Sequence, residues 1–508
     1  MAEPCHGYKD LIHSYEKQLD GLLEQGIYKP VFLYHVLLFN VLPLIGLVLP
    51  PGKGGQYARK GLFGLCIAIA IQAFRNHRAL VGGNGYMLGL MTAWWLIWNA
   101  TLFVFSNLEH DFKRIERKTA GLQLQDGAQE TCDCKDTFIW QSYPEKFGHR
   151  LDWSAGLLFN LRGPEWNWRA PHLGPLPQSV HTQLHSGFSC AKFKAQDDAT
   201  YISGKERFQA AFRTFLKYYL VLDFLKVFMM RDPYFQGVAS VDSPPPFPFS
   251  YLTIHPFLVQ FYRLFFSSFG VFVALEFVTA LSPMFFLGLA LAFPNAARKL
   301  TAAPLGAPWV YANTFGPFLA PILDHGLAGC WGRWWHQLFR FGFAATARWI
   351  LSLLPVKLSS HSQVRRVTFI VVAFSVSGFV HACGSFTQFT ETKPVSGPFL
   401  FFSLQIVGIL GEQLFKRSIY PILPLSGTPR WLRRTANFVF VFCWLFYSGF
   451  LVADDFARGG LWLVEPVPFS LLRGLGIGLQ GHGWWCWTEP WFRYWSDGTY
   501  WGSGIRVI

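Results

Sequence analysis

The chain has 508 residues, of which 51% are hydrophobic and only 15% are charged, and it contains 52 Phe and 21 Trp. This composition excludes an ordinary soluble protein of several domains and is typical of a membrane protein. The formal net charge of +14 does not indicate nucleic-acid binding, because the basic residues stand in short clusters at the ends of apolar runs, where they face lipid headgroups or fix orientation.

The N-terminal part of the chain is polar and then becomes strongly apolar. Residues 1–30 are polar and of mixed charge, so we expect no cleavable signal peptide there. Apolar runs near the length of about 20 residues that a bilayer requires then begin at Val31 and predict N-terminal transmembrane helices over 31–106. A polar stretch over 107–210 follows, and it is too long for a simple connection, so we expect it to carry structure or function.

Central transmembrane helices are predicted over 211–296. Lys217, Asp223 and Lys226 interrupt the first of these runs, so that helix is expected to face protein or a wet cavity rather than lipid. Pro283 lies within the next run, where it could kink one helix or divide two spans. We favour two spans, because this places the two basic clusters around Arg59 and Arg433 on the same side of the membrane.

The last segment, 297–508, contains four further apolar runs, at Leu338–Leu354, Val367–Phe386, Pro398–Leu414 and Phe438–Val452. The chain is therefore predicted to be an all-α polytopic membrane protein with eight to ten transmembrane helices. We find no internal repeat, so the sequence gives no support to an inverted-repeat transporter.

Several familiar motifs are rejected on their context. The nine cysteines are scattered and indicate no disulfide framework. The paired Cys132 and Cys134 have no second pair nearby, so no metal site is predicted. The stretch Gly476–Gly481 matches a dinucleotide-binding pattern but lacks both the preceding strand and the acidic residue that follows it in true sites.

A histidine deep inside a predicted span is the first candidate for chemistry. In "VVAFSVSGFVHACGSF", the residues three and four positions from His381 are Ser377, Gly378, Gly384 and Ser385. All four are small, so we expect open space in front of the imidazole. Close helix packing through small residues, with His381 as a hydrogen-bonding group, explains the same pattern, and the two interpretations are evenly balanced at this point.

The second candidate is the aromatic and basic stretch "CWGRWWHQLFRF". If it is helical, Arg333, His336, Gln337 and Arg340 share one side of the helix. An interfacial belt of tryptophans with snorkelling arginines explains the aromatic residues equally well and does not require His336.

These two stretches together resemble the paired signatures of the membrane-bound O-acyltransferase superfamily, and in particular its wax-synthase-like branch in fungi. The blocks "RLDWSAGLLFNLRGPEWNW", "LVLDFLKVFMMRDPYF" and "GGLWLVEPVPFSLLRGLGIG" are similar to further parts of that branch. The resemblance thus runs from about Arg150 to Gly478. The sterol and diacylglycerol branches have a block closer to F-Y-x-D-W-W-N, so those substrates are less favoured.

The resemblance implies a role for each candidate residue. His381 corresponds to the catalytic histidine and His336 to a second position that is Asn, Asp or His in different branches. Helices are expected to surround an internal reaction chamber within an acyltransferase core over 297–508. We assign Arg333, Arg340 and Gln337 to binding of the coenzyme, and the chamber wall to the four small residues Ser377, Gly378, Gly384 and Ser385.

The implied activity is transfer of an acyl group from acyl-CoA to an alcohol by a multi-pass protein of the endoplasmic reticulum. Acetyl-CoA is favoured as the co-substrate, with no permanently bound cofactor, and the favoured acceptor is a hydroxyl of a hydrophobic terpenoid or meroterpenoid secondary metabolite. The expected partners are this alcohol, acyl-CoA and the lipid bilayer, without nucleic acid.

Three alternatives remain open. The first is a wax-ester synthase that esterifies long-chain alcohols, the second is a transporter of a hydrophobic metabolite with His381 and Asp223 as proton-relay groups, and the third is a non-catalytic membrane scaffold. Under the acyltransferase interpretation, His336 and His381 are expected to approach the same region although they lie forty-five positions apart.

Overall fold

The computed structural model describes residues 8–119, 136–186, 203–419, 428–479, 482–488 and 490–508. The Cys132 and Cys134 pair, the start of the polar N-terminal segment and the end of the Gly476–Gly481 stretch lie outside these ranges.

Helices dominate the described residues. In chain order, the thirteen longer ones are α1 (Tyr8–Glu24), α2 (Leu33–Val48), α3 (Lys53–Asn76), α4 (Tyr86–Ala100), α5 (Phe147–Leu158), α6 (Gln178–Ser186), α7 (Gly204–Met229), α8 (Pro256–Ser282), α9 (Leu319–Gly329), α10 (Arg340–Ser352), α11 (Ser362–Thr387), α12 (Leu400–Leu414) and α13 (Arg430–Arg458). Turns of π-helix extend α4 over Thr101–Phe105 and precede α12 over Val395–Phe399.

Among the described residues, six helices are long and apolar enough to cross a membrane: Lys53–Asn76, Tyr86–Phe105, Pro256–Ala292, Ser362–Thr387, Val395–Ser418 and Arg430–Arg458. The apolar helix α2 is shorter. The prediction of an all-α polytopic membrane protein is confirmed, whereas the number of eight to ten spans stays a prediction. Large apolar side chains such as Ile71, Phe379 and Val439 are exposed on these helices, which suits contact with lipid.

The run that contains Pro283 does not divide. A single helix continues from Pro256 to Ala292, with a turn of π-helix at Pro283–Leu287. The expectation of two spans was therefore wrong. A proline breaks an α-helix because it lacks an N–H donor and its ring clashes with the preceding turn, and a local change to π-helical bonding accommodates both defects within one helix.

Two of the three charged side chains within α7 form hydrogen bonds with other parts of the protein, as predicted. Asp223 is buried and accepts hydrogen bonds from the Ser470 hydroxyl and, at 3.1 Å, from Leu472 N. The buried Lys226 ammonium donates to three consecutive carbonyl oxygens, those of Trp462, Leu463 and Val464, at 2.8–3.0 Å. Lys217, by contrast, is exposed.

The strands in the described part of the chain form two small sheets. One has the order β2-β1-β6-β5, built from β1 (Lys29–Phe32), β2 (His77–Arg78), β5 (Phe492–Ser496) and β6 (Ser503–Val507), with β1 parallel to β2 and antiparallel to β6. The other is an antiparallel hairpin of β3 (Arg114–Thr119) and β4 (Asp136–Gln141) within the long polar segment. Together with α5 and α6, this hairpin confirms that the segment 107–210 carries structure.

The two basic clusters lie at one end of the bundle. Arg59 near the start of α3 pairs with Glu109, just beyond the end of α4, at 3.3 Å. At that end Trp349 of α10 stacks on Phe105, with ring centroids 4.8 Å apart. α11 begins shortly after α10 ends, and α11, α12 and α13 alternate in direction, so the basic start of α13 lies here too. We call this end, which holds Lys53, Arg59, Lys60, Lys416, Arg417, Arg430, Arg433 and Arg434, the basic end, and the positive-inside rule predicts that it faces the cytosol.

Candidate active site

His381 is held between two neighbouring helices. It lies nineteen residues after the start of α11, or about 28 Å from the basic end at 1.5 Å per residue. The hydroxyl oxygen of Tyr86, the first residue of α4, is 2.6 Å from His381 Nδ1. On the other side, the Phe402 ring of α12 stacks on the imidazole, with centroids 4.7 Å apart and planes inclined by 18°. The imidazole is therefore fixed in both position and orientation.

Small residues allow α4 and α11 to approach closely here. A Cβ atom added to Gly89 would lie 1.9 Å from the carbonyl oxygen of Cys383, so no larger residue fits. Gly89 N donates to Thr387 Oγ1 at 2.9 Å, and the same hydroxyl donates to the carbonyl of Gly85 at 3.0 Å. Gly85 itself adopts a φ of 94°, which is unfavourable for other residues. This packing brings Tyr86 to His381.

The expected open space in front of His381 is filled by aromatic rings. A Cβ atom added to Gly384 would lie 2.7 Å from Cε2 of Tyr86, and one added to Gly378 would lie 3.1 Å from Cδ2 of Phe399. Ser385 is fully buried and Ser377 is half-buried. The prediction of open space was wrong, because the small residues serve close helix packing around the imidazole.

His336 lies where a helix breaks. α9 ends at Gly329, a turn of π-helix covers Cys330–Trp334, and Trp335 is extended with φ −59° and ψ 149°. α10 begins only at Arg340. The expectation that residues 331–340 form one helix with a polar side was therefore wrong. The Gln337 amide group stabilises the break by donating to the carbonyls of Trp331 at 2.8 Å and Trp335 at 2.7 Å.

The three residues assigned to the coenzyme all make hydrogen bonds within the protein. Arg333 is exposed and donates to His325 Nε2 of α9 at 2.7 Å. Arg340 donates to the carbonyl of Gly332 at 2.9 Å and to Gln337 Oε1 at 2.7 Å. The Gln337 amide is thus occupied by hydrogen bonds within the turn. Of the three residues, the two arginines carry the charge that could bind an anionic ligand.

The His336 imidazole is surrounded by aromatic rings and retains an unused nitrogen. Phe315, Trp335 and Phe339 lie with ring centroids 5.3–6.1 Å from it. Its Nδ1 atom is buried and, among the residues that the structure describes, has no hydrogen-bond partner. A buried nitrogen without a partner is costly in a finished core, so this atom is available to a bound molecule.

The structure brings the two histidines into one region. Burial first, and then the charges that His381 and Arg162 carry when protonated, lower the pKa of His336 to about 3. His381 is therefore within electrostatic reach of His336. At neutral pH His336 carries no charge, so it can offer a ligand one N–H donor or one nitrogen lone pair but no cation.

Further basic residues near His336 come from the long polar segment. Burial, followed by the guanidinium groups of Arg162, Arg340 and Arg169, lowers the pKa of His172 to about 4. Arg162 donates to the carbonyl of Asn313 at 2.6 Å. Sequence reasoning gave these residues no role, although the block that contains Arg162 was one of those carrying the family resemblance.

A cavity of about 760 Å³ opens beside this region. Its walls come from α5, the first half of α7, the second half of α8 and residues 300–314, and they include Arg162, Arg207, Glu276 and Leu338. Neither histidine lines the cavity, but Leu338 is two residues from His336. The walls combine guanidinium groups with apolar side chains, which suits a molecule that is both anionic and partly apolar.

The described residues contain no cluster of three or more His, Cys, Asp or Glu side chains that could hold a metal ion.

The fold and the site define a polytopic membrane protein with two histidines inside its helix bundle. In a comparison with known proteins, residues 311–404 match the model of the membrane bound O-acyl transferase family. This segment includes both histidines. The resemblance inferred from the motifs is thereby confirmed. No solved structure matches the chain.

Three fungal proteins illustrate the resemblance. The acetyltransferase eriL of Hericium erinaceus is 29% identical over 270 residues, which cover 52% of this chain and 60% of that protein. The O-Mevalon transferase macI of Penicillium terrestre is 28% identical over 28% of this chain and 34% of its own length. The acetyltransferase fsoF of Humicola fuscoatra is 34% identical over 20% of this chain and 24% of its own length. The chain thus spans three-fifths or less of the length of these relatives.

Proposed function

We propose that this chain is an acyl-CoA-dependent O-acyltransferase that moves an acetyl group from acetyl-CoA to a hydroxyl of a hydrophobic terpenoid or meroterpenoid metabolite in the endoplasmic reticulum membrane. The observation that carries the proposal is the pair of histidines. Both lie in the segment that matches the family, they are within electrostatic reach of each other inside the bundle, and one is fixed by Tyr86 while the other has an unused nitrogen.

In this proposal His381 is the general base. An alcohol is a poor nucleophile at neutral pH, and a neutral imidazole can accept its proton as the oxygen attacks the thioester carbonyl. A C–O bond forms and the C–S bond breaks. The proton that His381 accepted then passes to the departing sulfur, so the products are an ester and free coenzyme A. General base catalysis of this kind contributes about 10²- to 10⁴-fold.

His336 is proposed to stabilise the oxyanion that develops on the thioester carbonyl. Because its pKa is lowered to about 3, it acts as a neutral N–H donor rather than as a cation. One fixed donor to an oxyanion in a site without water contributes about 10²- to 10³-fold. The aromatic rings around His336 exclude water and support this role.

The cavity beside His336 is the proposed entrance for the acyl donor. Its volume of about 760 Å³ is within the range of ligand pockets. Arg162 and Arg207 complement the phosphates of coenzyme A, together with Arg340 and, farther out at the surface, Arg333. Gln337 supports the site by holding the turn that positions His336.

Two observations support a short acyl group. The rings of Tyr86 and Phe402 pack against His381, which leaves little room beside the imidazole for a long chain. Two of the similar fungal proteins are named acetyltransferases. The acceptor is drawn from fungal secondary metabolism because the sequence resemblance is to that branch of the family.

The proposal is tested with microsomes that contain the chain, radiolabelled acetyl-CoA and an extract of candidate alcohols. We expect a labelled ester with wild-type protein and at least a hundredfold less with His381→Ala. A labelled ester from palmitoyl-CoA but not from acetyl-CoA would identify a wax-ester synthase. Proton-driven uptake of a metabolite without ester formation would identify a transporter, and neither signal would leave a scaffold.

A further inference from the structure

We propose that Tyr86 is a positioning residue for this reaction: its phenolic oxygen accepts a hydrogen bond from His381 Nδ1–H and thereby keeps Nε2 unprotonated and facing the substrate. The inference rests on the proposed role of His381 as the base. Tyr86 lies outside residues 311–404 and precedes every block on which the sequence resemblance depends.

The hydrogen bond between Tyr86 and His381 decides which imidazole nitrogen is basic. A neutral imidazole carries a single N–H, and the partner of one nitrogen determines where that proton resides. The Oη–Nδ1 distance of 2.6 Å is that of a strong bond. A phenol can donate or accept, but only the arrangement in which Nδ1 carries the proton leaves Nε2 able to accept one from an alcohol.

The tyrosine has little freedom to turn away from His381. Its side chain is 4% exposed. One edge of the ring fills the space over Gly384, where an added Cβ atom would lie 2.7 Å away, and the ring packs edge-on against Phe456 of α13 at 5.2 Å. Gly85, with its φ of 94°, fixes where α4 begins. The backbone therefore helps to hold the phenol of Tyr86 beside His381, in addition to the ring packing.

An acidic side chain next to Phe456 favours the required direction of the bond. Asp455 is 2% exposed, and its Oδ1 accepts from Lys393 N at 2.7 Å. Its Oδ2 makes no hydrogen bond within the described ranges, and its charge is within electrostatic reach of Tyr86. When ionised, Asp455 attracts the phenolic hydrogen and thereby leaves the oxygen lone pairs for His381.

The same arrangement stabilises the state formed during the reaction. When Nε2 takes the proton of the alcohol, the imidazole becomes a cation that retains its Nδ1 proton, and the bond to Tyr86 becomes charge-assisted and stronger. Tyr86 keeps its own proton throughout. When the proton leaves Nε2 for the sulfur of coenzyme A, the starting tautomer is restored without any further transfer.

The test replaces the hydroxyl and keeps the ring, as Tyr86→Phe. We expect kcat to fall about 10- to 100-fold, as for other residues that orient a histidine, while the KM for acetyl-CoA stays within about twofold, because the hydroxyl touches no substrate. The acid side of the profile of kcat against pH should move to lower pH, because the protonated imidazole loses its acceptor. Tyr234→Phe is the matched control, since Tyr234 is fully buried and its hydroxyl has no partner in the described part of the chain.

The outcomes separate this inference from the proposed function. Wild-type membranes without any acyl transfer would refute the proposed function itself. Active wild-type protein with an unchanged Tyr86→Phe variant, a change in KM alone, or an acid side moved to higher pH would overturn the inference, the last because Tyr86 would then be the donor. If Tyr86→Phe does not yield folded protein, Asp455→Asn must give the same direction of pH shift with a smaller loss of kcat, and no shift would overturn the proposal.

Discussion

The surroundings of His381 and of His336 differ in how far their polar groups are satisfied. His381 lies inside a continuous helix, bonded to Tyr86 and stacked on Phe402. His336 lies in a broken stretch between α9 and α10, with an unused Nδ1. The protein fixes the position and tautomer of the His381 imidazole, while the His336 imidazole has a nitrogen available to a ligand. This difference matches the proposed roles, because a general base needs a defined tautomer and an oxyanion donor needs a free N–H.

The largest expected effect is at the fixed histidine. His381→Ala removes the proposed base, so kcat should fall about 10²- to 10⁴-fold at an unchanged amount of folded protein, measured as labelled ester formed per unit time. His361→Ala is a matched control, since His361 is exposed at the start of α11 and its loss should leave the rate within about twofold of wild type. Near-normal turnover by the His381→Ala variant would show that His381 is not the general base.

The second effect concerns the unsatisfied histidine. His336→Ala should lower kcat about 10²-fold, because one donor to the oxyanion is lost. His336→Asn retains an N–H donor of similar reach, so it should recover a substantial part of that loss. Equal rates for the Ala and Asn variants would contradict a donor role and would favour a purely structural one.

A third prediction probes the packing that fixes His381. Gly384→Ala places a methyl group 2.7 Å from the Tyr86 ring, so the ring must shift and loosen its bond to His381. We expect about a tenfold loss of kcat with about 1–3 kcal/mol of destabilisation. Gly411→Ala is the control, because an added Cβ there meets nothing within 4 Å. A Gly384→Ala variant with the activity and thermal stability of wild type would show that the close packing is unimportant.

Much of the fold could be predicted from the sequence because lipid imposes a simple rule. Only long apolar helices satisfy their own backbone in a bilayer, so the runs containing Val380 and Phe442 were identifiable from composition alone. Asp223 and Lys226 were expected to face protein for the same reason, and both do. Division at Pro283 was favoured over the continuous helix that the structure shows, because a π turn that accommodates proline leaves no clear signal in the sequence.

The site was only partly predictable, because its decisive contacts join distant parts of the chain. His381 and His336 stood out by residue type, but Tyr86 lies 295 positions from His381 and no local pattern links them. The small residues around Gly384 were read as open space, since a sequence does not reveal which rings from other helices fill a gap. The break at Trp335 depends on side-chain bonds from Gln337, which helical periodicity does not report.

The smallest effect is a dependence of stability on pH at the rim of the site. The pKa of His172 is lowered to about 4 in the fold, whereas its ordinary value is near 6.5. Stability from the neutral imidazole is therefore fully present above pH 6.5 and is lost as the pH falls below it, by no more than about 1 kcal/mol per pH unit in this partly solvated position.

Thermal unfolding of detergent-solubilised protein between pH 7.5 and 4.5 measures this effect. The difference between wild type and His172→Gln should shrink on acidification, and the subtraction cancels other groups such as Glu165, whose pKa is raised by burial. A constant difference across this range would contradict the neutral, buried state of His172.

The central claim is that His336 and His381 serve one step at one site, and a double-mutant cycle tests it most directly. Initial rates of labelled ester formation from acetyl-CoA are measured for wild type, His336→Ala, His381→Ala and the double variant at equal amounts of folded protein. If the two residues act in the same step, the double variant should be no more than about threefold slower than the poorer single variant. A double variant whose loss equals the product of the two single losses would contradict a shared site.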